Sequence, residues 1–374
     1  MSFSSLSPKA EMVLTTVCLL LVATLSSLHA LDIRMVHSSS SSLMRGSTTT
    51  TGSTTPKKAS GRPNISIKKL NIIPHSLSVS GLSSGGFMAV QFQFAYSSSI
   101  VGAGIFAGGP YYCSQGQLAN AFDQCMYAAL PIDLNALQQV LQDYESSGKV
   151  DRLSNVKTHK VFLFSGTADN TVNTAVMKAL YQQYQQFGVP SSNINVTFNV
   201  PAGHAWITND YGNDCSATQS PWINNCNLRG ALRVLQTIYS NNITDSTQAV
   251  DRNLFTYDQS GSFAGTDMDE HGYIYIPTAC QQNAACKIHV AFHGCEQGVS
   301  YVQEQFVQYT GLNAIAEKNN IIVVYPQVTS GGFENINGCW DWFGYSGPQY
   351  ANKRGSQMNA VANVIQALGS DIVV

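Results

Sequence analysis

Ser76-Leu77-Ser78-Val79-Ser80-Gly81-Leu82-Ser83-Ser84-Gly85-Gly86-Phe87-Met88-Ala89-Val90 joins a short β-like run to a helical one through a glycine-rich hinge. Gly81-x-Ser83-x-Gly85 at that hinge has the spacing of a nucleophile elbow, where a serine stands on a sharp strand-to-helix turn. Glycine permits the turn and lets neighbouring backbone approach closely. The helix N-terminus behind the serine favours developing negative charge. In a chain this rich in Gly and Ser the five-residue pattern alone carries little weight, and the strand before it and helix after it supply the rest. The competing reading is an ordinary turn in which Ser83 or Ser84 caps a helix.

Outward from the hinge, short apolar runs alternate with longer helical ones. That pattern predicts a mostly parallel sheet covered by helices on both faces. Strands are expected at Ser76–Val79, Gly102–Phe106, Lys160–Phe164, Ile194–Val200, Tyr273–Ile276, Ile288–Phe292 and Ile321–Tyr325. Helices are expected at Gly86–Tyr96, Leu134–Ser146, Ala175–Phe187, Leu228–Tyr239, Tyr301–Lys318 and Gln357–Leu368. No internal repeat or interior linker interrupts residues 64–374, which read as one domain.

In such sheets functional residues sit beyond the carboxyl ends of the strands. A serine nucleophile needs a base and a carboxylate that fixes the base's tautomer, in the chain order Ser, acid, His. Asp169 follows Val161–Phe164 in the loop Ser165-Gly-Thr-Ala-Asp169, and His204 follows Ile194–Val200 in Pro201-Ala-Gly203-His204. Asp169 also suits helix capping ahead of Ala175. His75 and His159 each precede an expected strand, at its wrong end, and His37 lies in the tail. His289 and His293 are too far apart along a strand, roughly 13 Å, to share a metal ion. An oxyanion needs backbone N–H donors, one from Ser84 after the nucleophile and one from a strand followed by a His-Gly loop. Lys287-Ile-His-Val-Ala-Phe-His293-Gly294-Cys295 has that form, but it follows the His of the triad instead of preceding the nucleophile.

The whole chain sets the setting for this chemistry. It has 374 residues, net charge −2 and only 11% charged residues, so no basic field exists for nucleic acid. Lys9 and the apolar run Met12–Leu25 read as a secretory signal peptide within residues 1–30. That run is shorter than the roughly 20 residues of a spanning helix, and no later stretch is long enough, so no membrane association is expected after its removal. Residues 31–63 form a Ser/Thr-rich tail too poor in apolar groups to order itself. Sequons at Asn64, Asn195 and Asn242 fit a secretory route and glycosylation. Beyond Cys18 in the leader, eight cysteines remain, an even number that implies disulfides in a secreted, extracellular protein. Eight allow 105 connectivities. Short loop closures suggest Cys113 with Cys125, Cys215 with Cys226 and Cys280 with Cys286, leaving Cys295 for Cys339.

Six blocks together resemble the extracellular poly(3-hydroxybutyrate) depolymerases of the α/β-hydrolase superfamily. They are Gly81-Leu-Ser-Ser-Gly-Gly86, Gly166-Thr-Ala-Asp169, Gly203-His204, His293-Gly-Cys-Glu-Gln297, Val323-Val-Tyr-Pro-Gln327 and Asn337-Gly-Cys-Trp-Asp-Trp-Phe343. In the common bacterial arrangement the last three precede the elbow, so the resemblance implies an α/β-hydrolase fold in circularly permuted, fungal-type single-domain form. It implies Ser83, Asp169 and His204 as triad, with the Ser84 and Cys295 amides as oxyanion donors. It further implies a Cys295–Cys339 disulfide pinning the oxyanion loop, and Trp340, Trp342 and Phe343 lining the cleft. Core packing is the competing role for the two tryptophans. The expected activity is hydrolysis of an insoluble polyester through an acyl-enzyme, by a monomer with no metal or organic cofactor. No polymer-binding domain is visible beside the catalytic one. Two alternatives stay open: a feruloyl or acetyl-xylan esterase acting on small esters, and an inactive secreted binding protein.

Overall fold

The computed structural model describes residues 61–374. The expected signal peptide, most of the Ser/Thr-rich tail, Cys18 and His37 lie outside the described residues. Eight strands form one sheet in the order β4-β3-β2-β1-β10-β11-β9-β8. In chain order they are β1 (Ile72–Leu82), β2 (Ile100–Phe106), β3 (Lys160–Phe164), β4 (Ile194–Thr197), β8 (Leu254–Asp258), β9 (His271–Tyr275), β10 (Cys286–Phe292) and β11 (Ile321–Tyr325). From β4 to β11 every neighbouring pair is parallel, whereas β9 and β8 add an antiparallel edge. A second, three-stranded sheet of β5 (Trp206–Thr208), β6 (Asn213–Asp214) and β7 (Ile223–Asn225) lies in the segment after β4.

The inner parallel strands bury both faces, so their apolar side chains divide between two cores, while the edge strand β4 keeps only Ile194 buried. On β11, Ile322 and Val324 join one core while Ile321, Val323 and Tyr325 join the other. The first core is closed by α1 (Ser84–Ala95), α2 (Leu134–Ser146), α3 (Thr174–Gln186) and, from the far end of the chain, the helix Ser356–Ala367. The second is closed by α4 (Gly230–Tyr239) and α5 (Leu312–Asn319), through Val234, Leu235, Ile238, Leu312 and Ile315. Complete burial of each such side chain stabilises the fold by roughly 1.5–3 kcal/mol. Helix α2 keeps only Leu137 and Leu141 inside, and Asp133 caps it by accepting the N–H groups of Asn135 and Ala136 at 3.0 and 3.1 Å.

The C-terminal helix, α6 (Ser356–Ala367), ends beside the start of the central strand, where the Leu70 N–H donates to Leu368 O at 2.9 Å. That contact is the join a circularly permuted order requires. The sheet is the parallel, two-faced one expected, with four local corrections. His75 lies inside β1 instead of ahead of it: its φ of 49° marks the register shift between Ile72 and Leu77, and its Nδ1 sits 2.9 Å from Asp371 Oδ2. The helix expected at Tyr301–Lys318 is three pieces, Val299–Val302, Gln305–Tyr309 and α5, broken where Gln303 and Gly311 take positive φ. The strand expected to reach Val200 ends at Thr197, and β8 was not anticipated.

Parallel pairing aligns the hinge tightly. Gly81 is opposite Phe292 of β10 and Ile105 of β2, and a Cβ built on it would lie 2.1 Å from Gly85 O. Gly81→Ala should therefore lower stability by roughly 1–3 kcal/mol through backbone displacement. An unchanged urea-unfolding midpoint would show that the elbow is looser than this packing requires.

Candidate active site

Ser83 stands at the tip of the β1–α1 turn with φ 56° and ψ −124°. A non-glycine residue there is strained, and the surroundings hold it. Its N–H donates to Phe106 O at 2.9 Å, its carbonyl accepts the Phe87 N–H at 3.0 Å, and Gly85 abuts the Phe292 and His293 carbonyls so closely that a Cβ would lie 2.3 Å from each. Ser83 thus faces a cavity of about 200 Å³ above the carboxyl ends of β1 and β10.

The loop after β3 brings Asp169 to the same region. Asp169 Oδ1 accepts the Thr171 and Val172 N–H groups at 2.8 and 2.9 Å, leaving Oδ2 for His204 Nδ1 at 2.8 Å. Both side chains are nearly inaccessible, and the His204 N–H is further tied to Thr218 Oγ1 at 3.0 Å. With Nδ1–H donated to the carboxylate, Nε2 is left as the acceptor. His204 and Ser83 line one cavity without a hydrogen bond between them; that bond is often long in resting enzymes and tightens with substrate. The small sheet that follows His204 is clipped by the Cys215–Cys226 disulfide.

Across the cavity lies the loop after β10. Gly294 N–H donates to Gln297 Oε1 at 2.8 Å and Glu296 N–H to Asn337 O at 2.7 Å. Between them the Cys295 N–H has no acceptor among the described residues. The Cys295–Cys339 disulfide ties this loop to the chain before Trp340. Ser84 opens α1, and the first N–H groups of a helix have no intrahelical partner. Two unspent amides therefore flank Ser83, the geometry that stabilises an oxyanion.

Comparison with known proteins accords with this arrangement. A family profile described as Esterase PHB depolymerase matches residues 272–371. A poly(3-hydroxybutyrate) depolymerase of Delftia acidovorans is 40% identical over 310 residues, covering 82% of this chain and 62% of that enzyme. A polyhydroxybutyrate depolymerase of Talaromyces funiculosus is 36% identical over 320 residues, covering 82% of this chain and 93% of that enzyme. The chain belongs to the PHB depolymerase family. The crystal structure of PHB depolymerase from Penicillium funiculosum superposes with a TM-score of 0.73 at 34% identity, over 81% of this chain and 98% of that one. A serine-to-alanine PHB depolymerase complexed with an R3HB trimer superposes at 0.74, again at 34% identity, with the same coverage of both chains.

Within this family member the three expected cleft aromatics part company. Trp342 lines the cavity and stacks on Phe87 at 4.2 Å between ring centroids. Trp340 does not line it: the ring is fully buried, edge-on to Phe292 at 5.0 Å. Phe343 stands behind, packing on Trp342 and Tyr345 instead of facing the cavity. Met126, Trp222 and Asn337 also line the cleft. Asn337 opens the Asn337–Phe343 motif, whose resemblance implies no role for it, and no local pattern marks Met126 or Trp222.

Three buried histidines, His159, His289 and His293, are tied into the fold away from the Asp169 pair. His289 bridges Ser78 and Ser80 at 2.7 Å each, and His159 sits between Gln93 Nε2 and Ser97 O at 3.1 Å each. His293 Nδ1 donates to Gly294 O at 2.7 Å while its Nε2 accepts the Val328 N–H at 3.2 Å. Burial pushes His289 down to about 3, and His293 and His159 down to about 4. These rings stay neutral in the fold but take up protons when unfolded below the ordinary value near 6.5. Stability is accordingly full above pH 6.5 and declines as pH falls towards 4, each ring costing roughly 2 kcal/mol by pH 5. Urea unfolding at pH 7 and pH 5 measures this slope. It should be shallower in His159→Gln, and an identical slope would remove His159 from the account.

Proposed function

We propose that this protein is a secreted serine esterase that hydrolyses poly(3-hydroxybutyrate) or a similar polyhydroxyalkanoate. The observation that carries the reading is the convergence on one cavity of Ser83, the Asp169–His204 pair and the unspent Cys295 amide. His204 Nε2 takes the Ser83 proton as Ser83 Oγ attacks the ester carbonyl, and Asp169 stabilises the imidazolium. The Ser84 and Cys295 amides hold the oxyanion. His204 then protonates the departing alkoxide, and water, activated by the same ring, releases the acid from the acyl-enzyme.

A solid substrate needs a surface for adsorption as well as a cleft. Exposed Phe122, Tyr127 and Leu130 flank Met126, and exposed Phe333 and Ile336 precede Asn337, so apolar groups adjoin two cleft-lining residues in sequence. The leader at Met12–Leu25 and the four disulfides suit an oxidising, extracellular destination. No helix among the described residues is long and apolar enough to cross a membrane. Exposed Asn195 lies on the edge strand β4, where a glycan would cover the unpaired edge.

Purified wild type should clear a poly(3-hydroxybutyrate) suspension and cleave a short p-nitrophenyl ester, and Ser83→Ala should do neither while unfolding at an unchanged urea midpoint. Ester cleavage without clearing would move the substrate to small or plant-wall esters, and activity in Ser83→Ala would remove the nucleophile. When secreted from a eukaryotic host, the protein should lose mass on N-glycosidase treatment. Asn195→Gln should lack one glycan by intact mass, and equal masses would show that sequon to be vacant.

A further inference from the structure

Gln297 is fully buried beneath the cleft, and its amide joins two loops. Oε1 accepts the Gly294 N–H at 2.8 Å, and Nε2 donates to Trp222 O at 2.8 Å and Pro221 O at 3.2 Å. The chemistry of the partners allows only this orientation, because one is an obligate donor and two are obligate acceptors. Trp222 O also accepts the N–H of Trp206, two residues beyond His204, which opens β5. One side chain therefore spans from the loop carrying Cys295 to the strand pair that follows His204.

The other end of Gly294 is held as well, since its carbonyl accepts His293 Nδ1–H at 2.7 Å. In a trans peptide the C=O and the following N–H point in opposite directions. Clamping both the N–H and the carbonyl of Gly294 leaves the Gly294–Cys295 peptide no rotation, and so fixes the line of the Cys295 N–H. We propose that Gln297 is a positioning residue that aims the Cys295 amide at the oxyanion and holds it in register with His204. The inference rests on the esterase reading above and adds to it the side chain that assembles the two halves of the site.

The test compares Gln297→Glu, which keeps the acceptor for Gly294 but sets an oxygen against two carbonyls, with Gln297→Met, which keeps the volume and removes every bond. Rates on a short p-nitrophenyl ester are taken per active site, counted by complete titration with an organophosphonate, so that unfolded protein does not enter the rate. An alkyl trifluoromethyl ketone, which forms a tetrahedral adduct with the serine, reports on the oxyanion site directly. Outright loss of one oxyanion donor costs ~10²–10³ in kcat. Loosening one should lower kcat per titrated site roughly 10- to 100-fold, leave KM nearly unchanged and weaken the ketone in parallel with kcat/KM. A purely structural Gln297 would lower the titrated fraction or the thermal midpoint and leave kcat per site as in wild type, which overturns the proposal. A rise in KM alone overturns it too, by assigning Gln297 to ground-state binding through Trp222. Failure of the organophosphonate to label wild type would instead sink the esterase reading itself.

Discussion

Parallel pairing of β1 with both β2 and β10 is the constraint on which the site depends. Antiparallel neighbours would send alternate loops to opposite ends of the sheet. Because these strands and β3 all run the same way, the turns after Leu82, Phe164 and Phe292 open at one end of the sheet, and Ser83, Asp169 and the Cys295 loop are delivered there. The antiparallel pair β8–β9 lies at the far edge, where its reversal disturbs none of them.

Above that end of the sheet the loops are held by neutral amides more than by ions. Gln297 ties the Cys295 loop to Trp222, and Gln327 accepts the Val299 N–H while donating to the Tyr325 and Pro326 carbonyls. Gln91 and Gln357 grip the carbonyl and the N–H of Asp341, next to Trp342. All four are buried. Amides bridging backbone groups neither titrate nor feel ionic screening, which makes sense of a chain with only 11% charged residues that nevertheless positions its cleft loops firmly.

Much of this was legible in the residues because the chemistry is local. The elbow needs three small residues in five positions, and the loops carrying Asp169 and His204 follow apolar runs that read as strands; β3, β11 and α2 match their expected limits. What escaped reading depends on the sign of a torsion or on distant partners. Apolar spacing through Tyr301–Lys318 is helical throughout, yet it does not register the positive φ at Gln303 and Gly311 that divides it. Trp340 and Trp342 have the same side chain and nearly the same neighbours in sequence, and only the packing of Phe292 against one and Phe87 against the other separates core from cleft. Trp222 reaches the cavity through a loop closed by the Cys215–Cys226 disulfide around it and held by Gln297, 75 residues away, whose partner no local pattern reveals.

The join between Leu70 and Leu368 has a consequence for synthesis. The central strand is made early, and β2, β3 and β4 can zip onto one side of it as they emerge. Its other side must wait for β10, roughly two hundred residues downstream of Leu82, or some 10–40 s at ribosomal rates of about 5–20 residues per second. Through that interval the nascent half-sheet shows an unpaired, apolar flank. An order that started at β8 would have β10 and β11 made before the central strand emerged, so β1 would find partners waiting on that side.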